Sequence, residues 1–248
     1  MAGQVDFSID AATGITGIAE TKNPDHLRVF MLTGGDDKSI NDAVLVKNDS
    51  DINSLQELKG KKLGILSGIQ WRTIAQGILA QNNLTTSDVT LVELAPTLQG
   101  QALATGQIDA LLGVEPVPTI IKANNIGKEI VHTPTVQYIA NPFYGGAGVV
   151  GLQFAKQNPN TTAKVIAIFN RAIKEINQDP SSARVHLKNY TPLTDNLISQ
   201  VPISLFKMSS DFTTSDISAV QKFYDVFSTY KVVEGRIDFQ KFIYSPVK

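Results

Sequence analysis

The sequence predicts an α/β fold in which helices cover both faces of a doubly wound parallel sheet, and two observations favour this class. Short apolar runs typical of buried strands alternate with segments of helical periodicity through residues 43–133. Glycine or proline marks the junctions: Gly60 and Gly106 follow predicted helices, and Pro116 opens one. Strands separated by helices of about ten residues are typical of parallel sheets.

The middle of the chain supplies these elements in order. Ile74, Ile78 and Leu79 recur at helical spacing and identify one of the helices. The predicted strands span residues 43–48, 61–67, 89–94, 108–114 and 128–133, and the predicted helices span 54–60, 70–81, 98–105 and 116–122.

The C-terminal third has a different pattern, in which helices predominate. Pro159 opens a helix with an apolar stripe that includes Phe169 and Ile173. Further helices, interpreted as packing elements, are predicted over residues 181–190, 195–200, 215–230 and 238–243.

Composition narrows the functional classes. The chain has 248 residues, of which 42% are hydrophobic and 18% charged, enough for one large domain or two lobes. A net charge of −1 argues against a nucleic-acid partner. The lack of cysteine excludes disulfides, thiolate metal sites and a cysteine nucleophile. His26, His132 and His186 are dispersed, so neither a metal site nor a cofactor is predicted.

A short element occurs twice, as GQVD at Gly3–Asp6 and as GQID at Gly106–Asp109. In the second copy the glycine ends a helix in the left-handed conformation and a strand follows, which predicts a strand over Val5–Ile9 in the first copy. A strand-helix unit precedes Gly106 but not Gly3, so we expect such a unit to be missing upstream. A trimmed chain, a misassigned start and a coincidental match remain open as explanations.

One candidate binding segment is Ser67-Gly68-Ile69-Gln70, which runs from the carboxyl end of a predicted strand to the beginning of the next helix. Free backbone N–H groups and the helix dipole at such a place suit an anion or a polar oxygen. Simple N-capping by Ser67 is the alternative.

Four further side chains have a functional and a structural interpretation. Trp71 can stack on a ligand or fill the core, and Arg72 can pair with an anion or face solvent. Glu115 and Asp10, expected beyond the carboxyl ends of parallel strands, suit an amine or amide on a ligand. Their alternative role is to place charge at the beginning of a helix.

Residues 146–151 match the pattern G-x-G-x-x-G, but the context disfavours a dinucleotide site. The glycines run into a predicted strand, and the position about twenty residues on holds Arg171 instead of an acidic residue. A glycine-rich crossover that acts as a hinge between two lobes fits this stretch better.

Three segments identify a family resemblance: SLQELKGKKLGILSG, DVTLVELAPTLQGQALATGQIDALLGVEP and FAKQNPNTTAKVIAIFNRAIKEINQDPSSA. Together with the later AVQKFYDVFSTYKVVEGRIDFQKFI, they resemble the nitrate/sulfonate/taurine-type solute-binding proteins of ABC importers. The resemblance covers nearly the whole chain in the same order.

The resemblance implies a two-lobed periplasmic-binding-protein type II fold that closes on a small molecule. Residues 1–43 and 147–248 would form lobe I and residues 44–146 lobe II, with crossings near Asp42–Val46 and Tyr144–Leu152. The first strand and helix of the family would precede residue 1, which agrees with the repeat.

The function implied is capture of a small polar molecule, such as nitrate, a sulfonate, taurine or a pyrimidine-like compound, for a membrane-bound ABC permease. The protein would be a periplasmic or extracellular lipoprotein without enzymatic activity. We expect a monomer, with a segment-swapped dimer as the alternative. The expected ligand contacts, at loops facing the cleft, are Asp10, Ala11, Thr33, Gly34, Ser67, Gly68, Gln70, Trp71, Glu115, Tyr144 and Gly145.

Two rival functions share this fold. Thiamine-pyrimidine and menaquinone-pathway enzymes resemble the family, but the pyrimidine synthases use a cysteine-rich motif that this chain lacks. Regulator effector domains carry an N-terminal helix-turn-helix, and no such basic segment is present.

Overall fold

A computed structural model describes residues 5–191 and 193–246, which form two compact units. Unit 1 contains the described residues up to Gly34, Pro142–Ala183 and those from Ser204 onward. Unit 2 contains Gly35–Asn141 and Arg184–Ile203.

The elements follow the predicted alternation of strand and helix through the middle of the chain. The strands are β1 (Phe7–Ala12), β2 (Leu27–Gly35), β3 (Asp42–Lys47), β4 (Lys62–Leu66), β5 (Thr90–Leu94), β6 (Ala110–Val114), β7 (Gly127–His132), β8 (Phe143–Gly151) and β9 (Leu205–Met208). The helices are α1 (Thr13–Lys22), α2 (Ile69–Gln81), α3 (Pro96–Ala104), α4 (Val117–Ala123), α5 (Pro134–Tyr138), α6 (Leu152–Gln157), α7 (Pro159–Gln178), α8 (Pro180–Arg184), α9 (Asp195–Ile198) and α10 (Thr214–Thr229).

Unit 2 is built on a five-stranded sheet in the order β5-β4-β6-β3-β7. The pairs β4–β5 and β4–β6 are parallel as predicted, but β3 runs antiparallel to both of its neighbours, so the sheet is mixed. The apolar run Val44–Val46 predicts a buried strand but contains no information about its direction, which explains the error.

Unit 1 has a four-stranded sheet in the order β1-β8-β2-β9, in which β1 pairs antiparallel with β8 and β2 with β9. Aromatic side chains of α10, including Tyr224, pack with Phe239 and Phe242 against Leu27 and Val29 of β2. A second cluster surrounds Phe30. The described residues include no helix with both the length and the apolarity needed to cross a bilayer.

Several predicted helices are shorter in the structure. The segment predicted as a helix over 54–60 contains a single 3-10 turn, Gln56–Leu58, and 238–243 contains another, Phe239–Phe242. The predicted helix over 181–190 is the short α8 followed by a 3-10 turn over Val185–Asn189. Gly60 and Gly106 have the positive φ angles, 77° and 72°, expected of residues that end a helix.

The two units differ from the expected lobes in their boundaries. Residues 184–203, expected in lobe I, belong to unit 2, because Leu193, Ile198 and Val201 cluster there with Ile120 of α4. The chain changes units at residues 34–35 and 141–142, whereas the segments expected as crossings lie mainly in strands β3 and β8. The glycine-rich stretch expected to act as a hinge, residues 146–151, lies within β8.

The sequence repeat corresponds to a structural repeat. The strand β1 begins directly after Asp6 and leads into α1, and β6 begins directly after Asp109 and leads towards α4. The predicted role of Gly3 as a helix end lies outside the described residues.

A buried carboxylate fixes α10 to the sheet of unit 1. Asp216 is 3% exposed and accepts hydrogen bonds from the Tyr144 hydroxyl (2.6 Å) and from the backbone N–H (2.7 Å) and hydroxyl (2.6 Å) of Thr213. It also pairs with Lys207 of β9, 2.7 Å away. Burial opposes ionisation, but the contacts with Lys207, Thr213 and Tyr144 outweigh it and lower the pKa of Asp216.

We expect Asp216→Asn to destabilise the protein by about 2–4 kcal/mol, because Lys207 loses its charge partner and the new amide group faces N–H donors. Tyr144→Phe removes one hydrogen bond and should cost about 1 kcal/mol. Urea unfolding measures the free energy of unfolding of both variants. The control is Asp211→Asn at an exposed position, which should stay within about 0.5 kcal/mol. An Asp216→Asn variant as stable as this control would contradict the assignment.

Candidate functional site

The strand directions in unit 2 bring polar residues to one edge of its sheet. The carboxyl ends of β4 and β6 point the same way, and the antiparallel β3 begins there, with Asp42 opposite Val114. The end of β7 lies at this edge too, because His132 is opposite Ala43. We call this the unit 2 edge; it contains the backbone N–H of Gly68 and the polar side chains of Asp42, Ser67, Glu93, Glu115 and Thr135. Such edges are where open α/β sheets bind ligands.

Gly68, not Ser67, is the N-cap residue of α2, so the capping interpretation of Ser67 is wrong. Gly68 adopts φ +111°, a conformation that side chains other than hydrogen rarely allow. Ser67 is exposed just before it. The Ser67 hydroxyl is therefore at the surface of the predicted binding segment.

A residue that the sequence analysis missed, Glu93 of β5, contacts the beginning of α2. One carboxylate oxygen accepts the Gly68 N–H at 2.9 Å, and the other accepts from Nε of Arg72 at 2.8 Å. The bond from Gly68 and the Arg72 charge lower the pKa of Glu93. A single acidic residue within the otherwise apolar strand VTLVEL was the signal that could have identified it.

Two other residues predicted to contact the ligand lie in the first turn of α2. Gln70 is 5% exposed, so its side chain is mostly withdrawn from solvent. Trp71, the single tryptophan of the chain, is half-buried, so its ring neither fills the core nor is fully exposed to solvent. Its position makes it a natural fluorescent reporter for events near Gly68.

Glu115 follows β6, as predicted, and is held at both its backbone and its side chain. Its N–H donates to the carbonyl of Asn41 at 2.9 Å, and its carboxylate accepts the N–H of Thr119 at 3.2 Å. Burial raises the pKa of Glu115 above its usual value. The half-buried carboxylate retains a surface towards solvent and can accept a further hydrogen bond.

Asp42 is a fully buried neighbour that the sequence analysis did not assign to the site. Its carboxylate accepts from the hydroxyl and the N–H of Thr135, at 2.8 and 3.1 Å, and its carbonyl accepts from the N–H of Thr133. Burial raises the pKa of Asp42 to about 6, with a smaller contribution from the Glu115 charge, while His132 acts in the opposite direction. Thr133 has φ 43°, a costly conformation for a β-branched residue.

In unit 1, three predicted or neighbouring positions meet across adjacent strands. Asp10 of β1 and Thr33 of β2 flank Gly146 of β8, and the Thr33 hydroxyl donates to Asp10 at 3.4 Å. A Cβ at Gly146 would lie 2.3 Å from the Thr33 hydroxyl and 2.4 Å from the Asp10 carboxylate. Asp10 is exposed, but it lies within an antiparallel strand, so its predicted place beyond a parallel strand is wrong.

The remaining predicted residues of unit 1 have mainly structural surroundings. Ala11 is a half-buried residue of β1, and Gly145 lies within β8. Gly34 allows β2 to approach β8 closely, since a Cβ there would lie 1.8 Å from the Phe143 carbonyl oxygen. Tyr144 is 1% exposed and its hydroxyl donates to Asp216 in the core, which is at odds with a ligand contact.

The predicted residues thus separate into a set at the unit 2 edge and a set on neighbouring strands of unit 1. The described residues contain no group of three or more histidine or acidic side chains placed to hold a metal ion. The chemistry available is hydrogen bonding and ion pairing: exposed hydroxyl and backbone groups near Gly68, and carboxylates at Asp10, Glu93 and Glu115.

Comparison with known proteins defines the family. A model of the NMT1/THI5-like family matches residues 1–183, most of the chain, so the protein belongs to that family.

One curated relative is named for sulfonate binding. A Bacillus subtilis (strain 168) protein, provisionally named for the binding of aliphatic sulfonates, is 21% identical over 195 residues, covering 79% of this chain and 58% of that protein. This chain therefore spans less than two thirds of that relative.

Solved structures agree on the fold. The periplasmic aliphatic sulphonate binding protein SsuA of Escherichia coli superposes with a TM-score of 0.78 at 18% identity, over 99% of this chain and 77% of that one. The alkanesulfonate-binding protein SsuA of Xanthomonas axonopodis pv. citri, bound to MOPS, gives 0.77 at 17% identity, over 98% and 81%. The periplasmic-binding-protein fold expected from the sequence is confirmed.

We expect Gly146→Ala to destabilise unit 1 by about 1–3 kcal/mol, because the added methyl group must separate Asp10 from Thr33. Gly100→Ala in α3 is the matched control, since a Cβ there meets only Ile121 at 3.7 Å and alanine favours a helix by about 1 kcal/mol. Urea midpoints should move in opposite directions for the two variants. A neutral Gly146→Ala would show that the Asp10–Thr33 contact is not constrained.

The raised pKa of Asp42 predicts a specific dependence of stability on pH. Folding takes up a proton between about pH 4 and 6, so the ionised carboxylate destabilises the folded state above about pH 6. As the pH falls from 7.5 to 4.5, wild-type stability should rise relative to Asp42→Asn by about 2 kcal/mol. Urea unfolding of both proteins across this range tests it; a constant difference would contradict it.

Proposed function

We propose that this protein is the solute-binding component of an ABC importer and that it captures a small polar molecule without transforming it. The observation that carries the proposal is the fold, which matches a sulphonate-binding protein over 99% of the chain. The family match over residues 1–183 and the polar unit 2 edge support it. Binding, as opposed to catalysis, also suits a site that offers hydrogen-bonding groups but has no cysteine.

Nitrate, sulfonates, taurine and pyrimidine-like compounds are the candidate ligands, and sulfonates come first because three relatives are named for them. A sulfonate offers three acceptor oxygens, which the Ser67 hydroxyl can donate to. Glu115 at the unit 2 edge suits an amine or amide group on a ligand, and Asp10 offers the same chemistry in unit 1.

The partner we propose is the membrane-embedded permease of the importer, and the place of action is the periplasm or the cell exterior. The word periplasmic in the name of the Escherichia coli relative supports this location. Anchoring as a lipoprotein and a monomeric state are parts of the same proposal.

Two measurements test the function. Native mass spectrometry of protein purified from its own host detects a co-purified small molecule. Titration with nitrate, ethanesulfonate, taurine and a hydroxymethylpyrimidine, followed by calorimetry and by Trp71 emission, identifies the ligand class. Saturable binding of one class supports the proposal, and the absence of binding to every class together with no co-purified molecule refutes it.

We expect Ser67→Ala and Glu115→Gln each to weaken binding of the identified ligand about 5- to 150-fold, the loss of one or more hydrogen bonds to a buried ligand. The matched controls are Ser87→Ala and Glu57→Gln, which change exposed residues of the same unit. Calorimetry measures affinity, and the melting temperature of the ligand-free protein checks the fold. If both site variants bind like their controls, the unit 2 edge is not the binding surface.

A further inference from the structure

The outer edge of β1 carries no strand among the residues that the structure describes. The unit 1 sheet has the order β1-β8-β2-β9, so β1 pairs with β8 on one side only. Two apolar side chains at this edge are exposed, Val5 by 60% and Ile9 by 53%. A cavity of about 530 Å³ adjoins the beginning of β1, and its lining includes Asp6, Phe7 and Phe154. Native proteins usually cover such an edge.

The internal repeat identifies what lies on the corresponding edge in unit 2. Aligning GQVD with GQID pairs Val5 with Ile108 and Ile9 with Leu112. The strand β6, like β1, has an antiparallel neighbour on one side, but the parallel strand β4 covers its other side. Ile108 and Leu112 are both 0% exposed there. Ile108 packs against β4, since a Cβ on Gly64 would lie 2.5 Å from its Cδ1 atom. The positions that are exposed beside β1 are thus buried where β4 is present.

The aspartate of the repeat contacts the beginning of the added strand in unit 2. The Asp109 carboxylate accepts the Lys62 N–H at 2.7 Å, and the Asp109 N–H donates to the Lys62 carbonyl at 2.9 Å. Lys62 is the first residue of β4, so this pair fixes where β4 begins beside β6. The counterpart in unit 1, Asp6, is exposed, and its carboxylate has no hydrogen-bond partner among the described residues.

We propose that the outer edge of β1 is a docking surface for one further strand, which runs parallel to β1, donates a backbone N–H to the Asp6 carboxylate and covers Val5 and Ile9. The occupant is a segment of the same polypeptide upstream of Gly3, because the corresponding strand of unit 2 precedes GQID in the order β4-α2-β5-α3-β6. A second copy that paired its own β1 about a two-fold axis would add an antiparallel strand instead. The inference does not rest on the proposed function.

The test compares two forms of the protein, the chain of residues 1–248 and the form that the host makes from its own gene with a tag at the C-terminus. Intact mass and hydrogen–deuterium exchange are measured on both. We expect the host form to contain residues upstream of Met1. Peptides that cover residues 5–12 should exchange at least about tenfold more slowly in the host form than in the shorter chain.

Three alanine variants test the role of the aspartate in each form by urea unfolding. Asp109→Ala should lower the urea midpoint in both forms, because β4 is present in both. Asp6→Ala should lower the midpoint in the host form alone. The matched control is Asp211→Ala, which changes an exposed residue of unit 1 and should shift neither midpoint.

Four results would overturn the inference. They are a host form that begins at Met1, equal exchange of residues 5–12 in the two forms, an Asp6→Ala variant that matches Asp211→Ala in the host form, and protection of residues 5–12 only in a dimer seen by native mass spectrometry. The last result assigns the edge to a second copy of the chain. None of the four bears on solute binding, which calorimetry tests separately.

Discussion

The insertion of β3 between β6 and β7, against their direction, is the constraint on which the unit 2 edge depends. It places the amino end of β3 beside two carboxyl ends, and the buried Asp42 then links the strands through Thr133 and Thr135. A backbone hydrogen bond adds a further link, because the N–H of Glu115 donates to the carbonyl of Asn41. A buried carboxylate with two donors is costly to form but leaves few alternative arrangements of these ends.

Much of the fold follows from the sequence because periodicity and helix-ending glycines are local properties. The strands β4 and β6 and the helix α2 were predicted within a few residues, and Gly106 has the predicted left-handed conformation. Strand direction is not local, so neither the antiparallel β3 nor the antiparallel pairing of β1 could be read from apolar runs. The assignment of residues 184–203 to unit 2 likewise depends on packing against Ile120.

The candidate site was likewise predicted only in part. Ser67 and Glu115 were identified because they lie at the carboxyl ends of predicted strands. Glu93 and Asp42 lie within or at the start of a strand, where polar residues are usually assigned to the surface. The repeat also misled at one point. Aligning its two copies pairs Asp10 with Gly113, and Glu115 with Ala12, so Asp10 lies at mid-strand. Its contact with Thr33 arises from the missing side chain of Gly146.

The candidate polar groups of the two units have different surroundings. In unit 1, Gly146 of β8 lies between Asp10 and Thr33, and its missing side chain lets these two residues come into contact. Tyr144, which was predicted to contact a ligand, instead donates a hydrogen bond to Asp216 of α10. In unit 2 the dipole of α2 is already balanced by Glu93. Near Gly68 a solute would therefore gain less from negative charge than from hydrogen bonds, because Glu93 already balances the α2 dipole there. Selectivity among small solutes would then depend on which donors and acceptors each one presents.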